Sequence, residues 1–171
     1  MQYRRKMASK KGIAITIIIL GAITGASFLV WAVPQQNETT FIVTDYENYL
    51  DDVKAIHEVL QESTEIDYQK LLDGEMTPEE YITAADVTST QVTAQISEFV
   101  TSKPPEQWQD SYISYMDAMK KFSSYIGETK VLANLIQNEK SQDEVSETMA
   151  KIESLKAESM ELVKISDDSR P

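Results

Sequence analysis

Twenty-one consecutive residues, Ile13 to Val33, carry no charge: IAITIIILGAITGASFLVWAV. What this run does decides where the rest of the chain sits. At about 1.5 Å rise per residue, a helix of this length covers about 31 Å, close to the hydrocarbon thickness of a bilayer. A cleaved signal has a shorter apolar region, roughly 7–15 residues. The run is preceded by Arg4, Arg5, Lys6, Lys10 and Lys11 and by no acidic residue. Lys and Arg beside a span resist translocation, so residues 1–12 are expected to form a basic cytoplasmic tail. Trp31 then falls at the opposite interface, where an indole ring sits well among headgroups. The leading reading is an uncut, single-pass transmembrane helix over 13–33, with everything after it outside the cytoplasm.

Two alternatives attach to the same stretch. Val30-Trp31-Ala32 is a weak leader-cleavage pattern, which would release the remainder of the chain. Lys10-Lys11-Gly12-Ile13-Ala14 resembles the site cut by archaeal prepilin peptidases, and that resemblance implies a pilin-like protein processed after Gly12. It covers about five residues, and the helical body expected downstream departs from the usually β-rich heads of archaeal pilins. Within the run, Gly21-x-x-x-Gly25 sets small residues one helical turn apart, with Ala14 on the same face and Ala22 and Ala26 beside it. Small residues let a second helix approach closely, so Gly21 and Gly25 are the expected packing seam for another copy or a different membrane subunit. The run holds no ionisable residue, which speaks against an ion path or proton relay.

Pro34 resists continuation of the helix, and residues 34–43 read as a polar tether. Asn37-Glu38-Thr39 within it is an acceptor sequon for N-glycosylation, on Asn37. All 28 acidic residues lie beyond residue 33, against 11 of the 16 basic ones, a net of −17 for that part of the chain. Such a charge argues against nucleic acid and against lying flat on anionic lipid, and it favours a basic partner.

From residue 44 onward the pattern is helical throughout. Thr44-x-x-Glu47, Thr77-x-x-Glu80 and Ser141-x-x-Glu144 each fit a capping box, in which a hydroxyl and a Glu side chain satisfy donors left free by the first turn. Pro78 follows Thr77 at a favoured first helical position. Pro104-Pro105-Glu106 marks the remaining start, and Gly74 is a helix stop. These signals bound helices at about 45–73, 78–101, 105–138 and 142–165. The apolar stripes agree: Tyr49, Val53, Ile56 and Leu60 in the first; Tyr81, Ala85, Val92, Ile96 and Phe99 in the second; Trp108, Tyr112, Tyr115, Met119, Phe122, Ile126, Ala133 and Ile136 in the third; Val145, Met149, Ile152, Leu155 and Leu162 in the fourth. Short links make neighbours antiparallel. The expected fold is all-α: one N-terminal transmembrane helix followed by an extracytoplasmic antiparallel four-helix bundle over 44–166, with residues 167–171 a frayed tail. At roughly 50 Å the third helix outruns its partners, so either its far tip projects or Gly127 interrupts it. The Thr- and Ser-rich second helix has the weakest propensity.

Candidate chemistry is argued mainly by exclusion. There is no Cys, which removes disulfides, thiolate metal sites and a lipid-anchored Cys. The one His, His57, has Lys54 three residues before it, so the paired Glu-x-x-His sets of bundle di-iron sites are missing. A single imidazole leaves only one axial haem ligand with a Met opposite, or a serine triad without its Gly-x-Ser-x-Gly turn. His57 is expected half-exposed at the edge of its stripe. Met116, Met119, Met149 and Met160 are expected to fill the core rather than line an adaptable surface. The acidic residues of the first and last helices read as a solvated face. No catalytic, cofactor-binding or metal-binding set is expected, and the chain does not read as an enzyme. The function expected is a membrane-anchored interaction or scaffold module, an accessory subunit of a larger membrane or envelope complex. It would act through a protein partner or a second copy. The alternative is a ligand-binding or sensory bundle that signals through a partner.

Overall fold

The computed structural model describes residues 43–171. The span expected at 13–33 with Gly21 and Gly25, the basic residues Arg4, Arg5, Lys6, Lys10 and Lys11, and Asn37 lie outside the described residues. Among the described residues there are four helices and no strand: α1 Tyr46–Leu72, α2 Pro78–Val100, α3 Glu106–Gln137 and α4 Gln142–Asp168. No described helix is long and apolar enough to cross a membrane.

The helix ends follow local chemistry. The capping boxes Thr77/Glu80 and Ser141/Glu144 both form. The first start is corrected by one residue: Asp45, not Thr44, caps α1, accepting from the Asn48 amide at 3.1 Å. A carboxylate caps at least as well as a hydroxyl and suits the positive end of the helix dipole. Pro105 precedes α3, which has no side-chain cap. Gly74 ends α1 at φ +71°, with the Glu75 amide donating to Lys70 O at 2.8 Å and the Gly74 amide to Leu71 O at 3.2 Å. This is the Schellman arrangement, in which an αL residue lets the chain turn back onto the last carbonyls. The same pattern closes α3 with Glu139 at φ 48°. That conformation is less comfortable for a residue with a Cβ.

α3 runs unbroken through Gly127, so of the two alternatives for its length the interruption does not occur. The hydroxyls of α2 turn inward onto their own helix: Thr83, Thr90, Thr93 and Ser97 donate to the carbonyl four residues back at 2.8–2.9 Å. The frayed tail is also corrected. α4 extends to Asp168, and the Arg170 guanidinium donates to Asp51 at 2.7 Å and lies 3.1 Å from Asp167. Val43, placed in the tether from sequence, is buried.

The helices meet as an antiparallel up-down-up-down arrangement. Tyr68 meets Tyr81, and Tyr49 stacks on Phe99, across α1 and α2. Phe99 stacks on Tyr112 at 4.6 Å, and Lys130 pairs with Asp86, across α2 and α3. The core has two lobes. One centres on Leu50, Phe99, Tyr112, Tyr115 and Met119, the other on Tyr81, Val92, Phe122, Ile126, Leu132 and Ile152.

The third and fourth helices pack closest, and the reason lies in side-chain size. Ser111, Ala118 and Tyr125 on α3 face Ser166, Ser159 and Ile152 on α4 in antiparallel seven-residue steps, and all six are buried. Ser111 and Ser166 hydroxyls lie 3.2 Å apart, and Ser159 donates to the Ala118 carbonyl at 2.9 Å. A serine side chain reaches a neighbouring backbone only when two helices come close, and each buried hydroxyl is thereby satisfied. The buried stripe of α4 is therefore Ile152, Ser159 and Ser166, whereas Met149, expected inside, is exposed and Leu155 and Leu162 are half-buried. Ile56 likewise lies outside, 53 % exposed, and His57 takes its place in the core. Four then three residues from Val53 to His57 to Leu60 fits helical spacing as well as three then four through Ile56, so hydropathy alone misplaces the pair.

Candidate binding groove between the first and last helices

The seam between α1 and α4 is built differently. Among the described residues, no α1 Cα comes within 8 Å of an α4 Cα. The facing side chains are mostly long: Lys54, Glu58, Gln61 and Glu65 on α1, and Asp167, Val163, Met160 and Lys156 on α4. They follow one antiparallel register, each step up α1 matched by an equal step down α4.

Ion pairs close the two ends of this seam. Lys54 donates to Asp167 at 2.6 Å, reinforced by Arg170 on Asp51, and Lys156 donates to Glu65 at 2.8 Å. Burial alone would raise the Glu65 carboxyl, but hydrogen bonds from Lys156, Gln69 and Tyr125 outweigh it and hold the group below the ordinary carboxylate range. Between the pairs, Glu58 and Gln61 oppose Val163 and Met160, and no ion pair joins the helices. Glu58 and Glu62 have no basic partner among the described residues.

A groove occupies this middle stretch in two adjoining parts that share Gln61 and Met160. The larger, about 230 Å³, runs from Glu62 and Glu65 across to Lys156, with Phe122, Tyr125 and Ser159 as its floor. The smaller, about 180 Å³, lies among Lys54, His57, Glu58, Tyr115 and Val163. Small-ligand sites typically span about 300–1,000 Å³, so the two parts reach that range only as one groove.

His57 is fully enclosed beside it, 1 % exposed. Its expected half-exposed position is corrected. Its ring lies 4.9 Å from Phe122 and edge-on to Tyr115, and Nδ1 shares a 2.9 Å hydrogen bond with the Tyr115 hydroxyl. Burial lowers the imidazole to about 4 and raises the Tyr115 phenol, so both are neutral at pH 7. Nε2 is buried and has no hydrogen-bond partner among the described residues. A buried polar atom left unpaired costs about 1–3 kcal/mol, and such atoms in native proteins are usually met by a water, an ion or a ligand.

Of the methionines, Met119 is fully buried as expected, whereas Met160 is 60 % exposed on the rim of the groove. No group of three or more His, Cys, Asp or Glu side chains able to hold a metal occurs among the described residues. No family model, curated protein or solved structure matches the chain.

The groove had one signal in the sequence. Asp51 with Arg170, Lys54 with Asp167 and Glu65 with Lys156 are complementary charges in a single antiparallel register, interrupted in the middle. Hydropathy stripes do not display it, because charged residues flanking a stripe read as solvent-facing.

Proposed function

We propose that the chain is a single-pass, membrane-anchored helical interaction module whose bundle lies outside the cytoplasm and serves as an accessory subunit of a larger membrane or envelope complex. The observation that carries this reading is a second apolar stripe on α1. Ile56, Val59 and Ile66 are 53 %, 64 % and 48 % exposed and lie along one side of the helix, away from the core. A helix that spends three β-branched residues on its outer side, in an otherwise acidic domain, presents surface suited to a partner. The basic head and the uncharged run at 13–33 support the anchorage and orientation, and Gly21 and Gly25 would supply the seam within the bilayer. Purification of the tagged full chain in mild detergent tests it. A stoichiometric membrane protein should co-purify and be lost in Val59→Lys; a persistently lone monomer contradicts it.

A second reading, a ligand-binding or sensory bundle that acts through a partner, is favoured by the α1/α4 groove with the His57 imidazole beside it, whose Nε2 has no partner among the described residues. A small molecule that raises the thermal midpoint of the full chain in a saturable way supports this reading. Indifference to every molecule that fits the groove opposes it.

A further inference from the structure

We infer that the groove between α1 and α4 receives a small organic cation: a primary or secondary ammonium on a compact apolar body. The inference rests on the ligand-binding reading and names the chemistry of its ligand.

Charge is the first support. The two lysines that reach the groove are already neutralised, Lys54 by Asp167 and Lys156 by Glu65. Glu58 and Glu62 line the open stretch and carry no ion pair, so the groove holds two unmatched negative charges and no unmatched positive one. An anion placed here meets repulsion; a cation completes the alternation of sign that the paired ends begin.

The floor is the second. Tyr115, Phe122 and Tyr125 lie under the groove, and Met160 lines both of its parts. Aromatic rings attract a partly desolvated ammonium by about 0.5–2 kcal/mol, and they also take up an apolar body.

The third is His57. When Nδ1–H donates to the Tyr115 oxygen, Nε2 becomes a hydrogen-bond acceptor. An ammonium N–H supplies the donor that this buried atom lacks among the described residues. His57 lines the groove and its Nε2 is shielded, so the flexible side chain of Met160, which lines the same part, must shift to admit the donor. A neutral imidazole is needed for this, and burial keeps it neutral.

The test uses the full chain in a zwitterionic detergent, labelled with ¹³C at the methionine methyls. Three size-matched probes are titrated: phenethylammonium, 2-phenylethanol and 3-phenylpropionate. Phenethylammonium should shift the Met160 methyl saturably while leaving Met76 unmoved, and should bind at least tenfold more tightly than the other two. The surface double variant Glu58→Gln/Glu62→Gln should weaken the ammonium at least fivefold and leave 2-phenylethanol unchanged. His57→Gln should weaken it further, with far-UV circular dichroism confirming the fold. If the alcohol or the carboxylate binds as tightly as the ammonium, or the double variant binds it unchanged, the cation assignment is overturned while a ligand groove remains. No saturable shift from any probe, or equal shifts at Met76, overturns both.

Discussion

α4 lies between two neighbours and treats them in opposite ways. Against α3 it offers Ser159 and Ser166, whose hydroxyls reach across to Ala118 and Ser111, and the helices close on each other. Against α1 it offers Lys156, Met160, Val163 and Asp167, and the backbones stay more than 8 Å apart. One seam is held by shape and short hydrogen bonds, the other by long side chains that pair at its ends and leave its middle unfilled. The contrast places a close seam and an open one on the same helix. The α3/α4 pair is the frame, and the α1/α4 seam holds the groove to which the proposed ligand is assigned.

The contrast breaks most sharply at two adjacent residues. Ser159→Leu forces a large side chain between α3 and α4 and also removes a buried hydrogen bond. It should destabilise the domain by about 2–3 kcal/mol, read from urea unfolding. Met160→Leu, one residue along but facing the groove, should change stability by less than about 0.5 kcal/mol. Equal effects would erase the distinction between the seams.

His57 sharpens the comparison through pH. Its folded value, about 4, lies below the ordinary value of 6.5. Between those limits the unfolded chain takes up a proton that the native state refuses. The stabilising effect of the neutral ring is therefore fully present above about pH 6.5 and is lost as pH falls towards 4. From pH 7 to pH 5, before most carboxylates titrate, stability should drop by about 2 kcal/mol. His57→Gln should flatten that slope, and an unchanged slope would show that His57 is not the group responsible.

Gly127 lies within α3, and a methyl group on its Cα would meet nothing within 4 Å beyond its own helix backbone, so Gly127→Ala adds nothing to pack and removes only backbone freedom. It should stabilise by about 0.5–1 kcal/mol, raising the thermal midpoint. A modest effect is expected at the paired ends of the open seam. Both ion pairs there are partly exposed. Lys54→Met with Lys156→Met should therefore cost no more than about 1 kcal/mol, and 1 M salt should shrink the difference. A larger loss would mean that these pairs, rather than the core, hold α1 in place.

Much of the fold is legible in the sequence because helices announce their ends and faces locally. Thr77/Glu80 and Ser141/Glu144 cap where their spacing places them, Gly74 turns the chain, and the Tyr81–Phe99 and Tyr112–Ala133 stripes enter the core. The errors share a cause. Ser159 and Ser166 look like surface residues, and His57 looks more polar than Ile56, so a reading weighted by hydropathy exports residues that are buried by geometry. Small hydroxyls cap their own polarity once two helices close, and an imidazole becomes tolerable in a core when a phenol meets one of its nitrogens. The groove is less legible still, since a gap between helices depends on which long side chains face each other, and pairing of that kind shows only when distant stretches are laid in register.

The chain contains no cysteine, so introduced pairs report without interference. A disulfide needs Cα atoms about 4.4–6.8 Å apart. Under mild oxidation, the full chain carrying Ser111→Cys/Ser166→Cys should cross-link within minutes, and the chain carrying Gln61→Cys/Met160→Cys should remain largely reduced. Equally fast closure of both pairs would mean that α1 and α4 are already in contact and that there is no groove to fill.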